Sequence, residues 1–372
     1  QVDLPIRIID LYSQLVLEFP FEERIGNSLV LRQPRGVAAC ITPWNYPLFQ
    51  IATKLGGALA AGCPVILKPS EVAPLSALVL GEIIAAAGTP RGVVSIVTGL
   101  GPNAGEALVR HPEVDVVSFT GSSQVGRRIA ALAADAFKHA ALELGGKSAS
   151  ILLDDADFPR AVRATVNSCF LNAGQTCLAL TRLLVPESRY EEAATLAVAV
   201  AERFTLGDPT AAGVKMGPLA SAAQRERVRT LIARGIAGGA ELLLGGAEPP
   251  ANLPQGYYVR PTVLGRVSPD NAVAQDEIFG PVLSIMTYKD EDEAIDIANG
   301  TRYGLSGAVW AGDEIRAIRV ARQLKTGQVE INGGAFNLHA PFGGWKQSGR
   351  GRELGRFGIE EFSEYTALQL PT

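Results

Sequence analysis

Cys177 sits in the run Asn172-Ala-Gly-Gln-Thr-Cys177. A Gly-Gln turn ahead of a cysteine puts the sulfur at a bend, outside a regular element, which is where an attacking thiolate must stand. The competing reading is a small buried thiol. Glu143 lies in Leu142-Glu-Leu-Gly-Gly-Lys147. A carboxylate among apolar residues at a strand end feels desolvation, which raises its pKa and makes it a better base near neutral pH. The alternative is a buried ion pair with Lys147 or Arg182. Asn45 stands between Pro43 and Pro47 in Thr42-Pro-Trp-Asn-Tyr-Pro47. Two prolines fix the backbone around it, so its amide can be held to donate to an oxyanion; the alternative is an ordinary Asx turn. A thiol, a base and a held amide donor are the equipment of covalent catalysis at a carbonyl carbon.

A second group of residues suits a nucleotide. Lys68 and Glu71, in Lys68-Pro-Ser-Glu71, fall just past a strand, where a lysine and a carboxylate match ribose hydroxyls; a solvated loop is the alternative. Phe119-Thr-Gly-Ser122 ends a strand and opens a helix whose first turn holds Val125 and Gly126. That helix start offers free N–H groups to a diphosphate. The spacing is not the GxGxxG fingerprint. The remaining cysteines, Cys40, Cys63 and Cys169, are read as small buried hydrophobes. With His111, His139 and His339 far apart in sequence and no CxxC pair, no metal site is expected.

The elements that must position these residues alternate regularly. Residues 36–41, 64–67, 93–97, 114–119, 140–143 and 148–153 read as strands. Residues 48–59, 75–87, 104–110 and 123–136 read as helices between them. Short Gly/Pro connections make this an α/β protein, a parallel sheet with helices on both faces, and such sheets bind ligands at the carboxyl ends of their strands. A second α/β unit runs from about 151 to 344, with helices near 190–204 and 221–235 and a Gly/Pro-rich surface loop at 241–255. Residues 16–32 read as a β-hairpin turning at Gly26-Asn27-Ser28, and 361–370 as an edge strand. Neither has an obvious partner within one compact domain, so both are expected to serve an oligomer interface.

The 372 residues are enough for two or three domains. A net charge of −4 gives no basic footprint for nucleic acid, and no apolar run is long enough for a membrane span. With four cysteines and no secretory leader read at the start as given, the expected compartment is the reducing cytoplasm.

Together the motifs PWNYP (43–47), KPSE (68–71), FTGS (119–122), LELGGKS (142–148), GQTC (174–177), EIFGPV (277–282) and PFGGWKQSG (341–349) resemble the aldehyde dehydrogenase superfamily, in its order and over nearly the whole chain. The resemblance implies a Rossmann-like cofactor domain (1–15 and 36–145), an α/β catalytic domain (146–345), a connection back (346–360), and a small β oligomerisation element (16–35 and 361–372). It implies that Cys177 attacks the aldehyde carbon and that the Asn45 amide and the Cys177 N–H hold the oxyanion. Hydride then passes to the nicotinamide, and Glu143 activates water to hydrolyse the thioester. Lys68 and Glu71 would bind the adenosine ribose, Ser122 would face the diphosphate, and Val125 would lie near the adenine. Glu277 and Phe279 would position the nicotinamide end. Thr42, Pro43, Trp44, Ser70, Gly101, Gly105, Phe119, Thr120, Gly121, Leu144 and Gly145 would complete the cofactor site.

By motif position Tyr46, Gln50, Thr53, Leu171, Leu178 and Leu338 would line the aldehyde route, an apolar set that suits medium aliphatic or aromatic aldehydes. Glu71 favours NAD over NADP, since a carboxylate repels a 2′-phosphate. Glu143 favours hydrolysis to the free acid. A homodimer or homotetramer is implied. Only 36 residues precede Val37, where the family has a longer segment, so part of the cofactor domain's covering layer is expected to be missing from the sequence as given. Three rivals stay open: acyl transfer to coenzyme A or esterase-like use of Cys177, a non-catalytic binding member of the family, and a generic Rossmann-type nucleotide binder.

Overall fold

The computed structural model describes residues 1–371. Position 372, the last of the expected oligomerisation segment, lies outside them. The chain divides into two compact units. The first holds residues 1–144, 337–344 and 349 onward; the second holds 145–336 and 345–348.

The first unit opens with helix α1 (Asp3–Glu18), which buries Ile8, Leu11 and Tyr12 at helical spacing. This corrects the expectation of a hairpin from residue 16: the helical spacing of Ile8, Leu11, Tyr12 and Leu15 continues past Val16, and the helix ends only at Glu18. The hairpin proper is β1 (Glu22–Ile25) and β2 (Ser28–Pro34), turning at Gly26 with φ of 60°. Then follow β3 (Ala38–Ile41), α2 (Pro47–Ala60), β4 (Val65–Lys68), α3 (Leu75–Ala86) and β5 (Val94–Ile96). After these come α4 (Glu106–Arg110), β6 (Val116–Thr120), α5 (Ser123–Ala134) and β7 (His139–Glu143). Helix α3 buries only Ala77 and leaves Leu75, Leu78, Val79 and Ile83 exposed, so this part of the sheet is covered less fully than a two-faced layer implies.

The second unit runs β8 (Ala149–Leu152), α6 (Phe158–Phe170), β9 (Arg182–Pro186), α7 (Tyr190–Ala201), α8 (Ala222–Ala237), β10 (Glu241–Leu244) and β11 (Thr262–Gly265). It continues with α9 (Ala272–Gln275), β12 (Val282–Tyr288), α10 (Glu291–Asn299), β13 (Gly307–Trp310), α11 (Glu314–Ala321) and β14 (Glu330–Ile331). Strand β10 corrects the loop expected at 241–255: Leu242 and Leu244 pair antiparallel with β11, giving the segment's first residues a ladder. The helix starts are capped by side chains, Asp157 for α6, Ser221 for α8, Asp290 for α10 and Asp313 for α11. The chain then returns to the first unit with β15 (Gly349–Arg350), α12 (Gly355–Glu360) and β16 (Ser363–Gln369).

The first unit's main sheet has the order β15-β7-β6-β3-β4-β5, parallel apart from β15, and the second unit's has the order β10-β11-β12-β9-β8-β13-β14, parallel apart from β10. Both are α/β layers with buried strands such as Ala38–Ile41 and Val282–Leu283. The hairpin and the C-terminal strand are each other's partners: β16 runs antiparallel to β2 from Ser363↔Pro34 to Gln369↔Ser28, in a three-stranded sheet β1-β2-β16. Sequence separation of more than 320 residues hides such a pairing from local patterns.

Candidate active site

In the first unit the carboxyl ends of neighbouring parallel strands carry the expected cofactor residues. Thr42 follows β3 and donates its backbone N–H to the Lys68 carbonyl at 3.1 Å; Gly121 follows β6 and donates to the Glu143 carbonyl at 3.1 Å. Lys68 is 2% exposed and its Nζ lies 2.9 Å from Glu71, so it is no solvated loop lysine. Burial pushes the Glu71 carboxyl up, but the hydrogen bond and charge of Lys68 outweigh it and hold the group below its ordinary value. Glu71 also accepts from the Gly101 N–H at 3.4 Å, at the start of the turn Gly101–Gly105 that leads into α4. Ser70 accepts from the Val72 N–H. Ser122 caps α5 through Val125, and Val125 stands exposed. A Cβ on Gly121 would meet the Phe119 ring at 2.5 Å, and one on Gly126 would meet Leu144 at 2.4 Å, so β6, the turn and α5 close tightly only without side chains there. The hydroxyls of Thr42 and Thr120 are buried with no hydrogen-bond partner.

Asn45 is 7% exposed, flanked by Trp44 and Tyr46, and Pro47 begins α2 where a missing N–H costs nothing. Gln50 and Thr53 are buried within α2, the Thr53 hydroxyl donating to the Gln50 carbonyl, and Leu338 is buried as well. Glu143 ends β7 at 3% exposure, and the backbone of Gly349 on β15 is its ladder partner. One residue pair went unread in the sequence. Lys54, 1% exposed, places Nζ 2.5 Å from Glu353 and 3.1 Å from the Ser118 hydroxyl. A lysine on the apolar face of α2, between Ile51 and Leu55, was the available signal: a charge there must find a buried partner.

In the second unit a strained turn presents Cys177. Asn172, Ala173 and Gly174 have φ of 53°, 55° and 74°, all left-handed. The loop is strapped on both sides. Gln175 donates from Nε2 to the Asn172 carbonyl at 3.1 Å and accepts from the Ala220 N–H at 2.9 Å; Thr176 donates to the Leu171 carbonyl. Cys177 and Leu178 are partly exposed and Leu171 is 55% exposed. Cys40, Cys63 and Cys169 are buried, and burial pushes the thiols of Cys40 and Cys169 up to about 12. Those two are protonated and inert at neutral pH.

The two glycines after Leu144 are packed against this loop and against Glu277. A Cβ on Gly146 would lie 2.5 Å from the Cys177 carbonyl, and one on Gly145 would lie 2.2 Å from a Glu277 carboxylate oxygen. The Gly146 N–H donates to Glu277 at 3.1 Å. Burial raises the Glu277 carboxyl to about 7 against the lowering effect of that hydrogen bond. Phe279, two residues on, holds a left-handed φ of 60°. Ser348 donates to the Gly145 carbonyl at 2.6 Å and accepts from the Gly304 N–H at 2.9 Å, tying these two backbone segments of the second unit together. Arg182 spends its donors on the carbonyls of Lys147, Ile297 and Ala298. Lys147 Nζ is buried with no hydrogen-bond partner, and burial, with Arg182 nearby, lowers it to about 7. Lys147 and Arg182 form no ion pair among the described residues. No group of three or more His, Cys, Asp or Glu side chains among them could hold a metal ion, and none of their helices is long and apolar enough to cross a membrane.

Comparison with known proteins matches residues 2–368 to the model of the aldehyde dehydrogenase family. A 3-succinoylsemialdehyde-pyridine dehydrogenase of Pseudomonas is 50% identical over 356 residues, covering 96% of this chain and 75% of the relative. A putative aldehyde dehydrogenase of Staphylococcus saprophyticus is 47% identical over 354 residues, covering 94% of this chain and 74% of the relative. Two solved structures superpose with a TM-score of 0.97. One is a cysteine-to-alanine mutant of aldehyde dehydrogenase C from Pseudomonas syringae with NAD+ and octanal, 44% identical over 99% of this chain and 76% of that one. The other is a Mycobacterium tuberculosis aldehyde dehydrogenase with NAD+, 41% identical over 100% of this chain and 77% of that one.

Proposed function

The chain belongs to the aldehyde dehydrogenase family, and we propose that it oxidises medium aliphatic or aromatic aldehydes to their acids with NAD through a thioester on Cys177. The observation that carries the reading is the contrast among its cysteines. Three are buried, while Cys177 alone is partly exposed, on a strapped and strained turn. Its thiolate adds to the aldehyde carbon, because a hydride cannot leave until that carbon is tetrahedral. The Asn45 amide and the Cys177 backbone N–H donate to the oxyanion, whose collapse expels the hydride. NAD, when bound, supplies the hydride acceptor. Glu143 then takes a proton from water, whose oxygen attacks the thioester, releases the acid and returns the thiol.

The residues present fit the cofactor. The orphaned hydroxyls of Thr42 and Thr120, at the carboxyl ends of adjacent strands, are buried donors left for a ligand. Lys68 and Glu71 would hold the adenosine ribose, with Ser70 and the turn at Gly101 and Gly105 beside them. The start of α5 at Ser122 would face the diphosphate, with Val125 near the adenine. Glu277, Phe279 and Gly145 would hold the nicotinamide end. NAD+ is present in both solved relatives, and octanal in one of them supports the substrate class. The test is NADH absorbance over a panel of aldehydes. Octanal and benzaldehyde should be turned over to free acid, NADPH should form at least tenfold less efficiently than NADH, and Cys177→Ala should be inactive. Activity surviving in Cys177→Ala would overturn the reading.

The sheet β1-β2-β16 is proposed to join copies of the chain into a dimer or tetramer. Its outer strands expose Ile25, Tyr365 and Leu368. A cytoplasmic location accords with four cysteines that are all unbridged, and cell fractionation reads it directly.

A further inference from the structure

The second unit holds a cleft of about 480 Å³ between α6, the turn at 171–174 and the end of α7. Three cations, Arg163, Arg203 and Lys215, line it, and no carboxylate does. All three are exposed and none is held in an ion pair among the described residues. By contrast, Arg189, Arg302 and Arg316 elsewhere in the same unit are tied to acids. In a chain of net charge −4 such a cluster is not a by-product of a basic composition. Like charges gathered around one concavity repel, and they set up a positive potential that an anion relieves. The inner wall is apolar: Phe170 and Phe204 meet edge to face at 5.2 Å, with Val200 beside them and exposed Leu171 at the mouth. Asn167 adds a neutral donor.

We propose that this cleft binds a small organic carboxylate with an aliphatic or aromatic body. The charged end meets the cationic rim and the body lies on Val200, Phe204 and Leu171, with buried Phe170 backing Phe204; the volume falls in the usual range for small-molecule sites, roughly 300–1,000 Å³. A polyphosphate leaves the apolar wall unused, and a neutral molecule leaves the rim unused. Carboxylic acids are the product class of the reaction proposed above; that link rests on the reading of Cys177, whereas the binding itself does not. The wall at Leu171 and Asn172 begins the turn that carries Cys177, so occupancy and aldehyde turnover share one segment.

Equilibrium dialysis of the whole protein without NAD or aldehyde tests the site, with hexanoate, 1-hexanol and inorganic phosphate as probes. Hexanoate should bind saturably, and at least tenfold more tightly than either of the others. The Arg163→Gln/Arg203→Gln double variant should weaken it at least tenfold, and Lys215→Glu should weaken it independently. Because these side chains are exposed, the variants should unfold at the wild-type temperature. Hexanoate affinity unchanged in the double variant, phosphate binding as tight as hexanoate, or no saturable hexanoate binding would each overturn the proposal. A protein that bound hexanoate in this way but oxidised no aldehyde would leave the cleft standing and sink the catalytic reading alone.

Discussion

Glu277 shows how one side chain couples burial to cofactor binding. The interior raises its carboxyl to about 7, and the Gly146 N–H only partly opposes the shift. As a carboxylate it accepts hydrogen bonds from ribose hydroxyls; once protonated it loses acceptor capacity. NAD affinity should therefore rise as the pH passes upward through about 7, and fall by up to about tenfold per pH unit below it. Cofactor fluorescence titration between pH 6 and 8 reads this, and Glu277→Gln should flatten the curve; a wild-type affinity that does not change over that range contradicts the role. Stability reads the two buried groups in adjoining windows. The raised Glu277 carboxyl contributes stability that is lost as pH rises from 4.5 to about 7, while the lowered Lys147 ammonium contributes stability that is lost as pH falls from 10.5 to about 7. Together they place a minimum in stability near pH 7.

The turn at 172–174 is the element on which the nucleophile depends. A Cβ on Gly174 would stand 2.1 Å from the Gly280 backbone while φ is 74°. Gly174→Ala thus adds a strained backbone, about 1–2 kcal/mol, to a backbone clash that no rotamer relieves. Displacing the turn by about 1 Å can cost on the order of 10²-fold in rate. The expected result is kcat down about a hundredfold with circular dichroism unchanged; wild-type kcat would mean that the turn does not position Cys177. This turn was legible in the sequence through Gly-Gln before the cysteine, as were most strands of the first unit, because parallel strands are short apolar runs with Gly/Pro punctuation. What escaped were features set by distant partners. The helix from Asp3 to Glu18 is marked in the sequence only by Ile8, Leu11 and Tyr12 on one face, and its packing partners lie far along the chain. Strand β10 was hidden by the Gly/Pro-rich residues after it. The Lys54–Glu353 pair joins positions 299 apart, and only the fold identifies the partner.

At the scale of the molecule, the seven ordered motifs anticipated the family and the α/β class, whereas the pairing of β16 with β2 emerged only from the three-dimensional arrangement. That sheet leads to a prediction about mass. Light scattering should find a dimer or tetramer, and Tyr365→Asp/Leu368→Asp should shift it toward monomer; a wild-type monomer would remove the interface role from β16. The central claim is the division of labour in which Cys177 forms the thioester and Glu143 breaks it. Pre-steady-state NADH formation by Glu143→Gln tests it most directly. The account predicts one burst of about one NADH per site, followed by steady turnover slowed by about 10²–10⁴-fold, as expected for loss of a general base. Steady turnover equal to the wild type, with or without a burst, would contradict it.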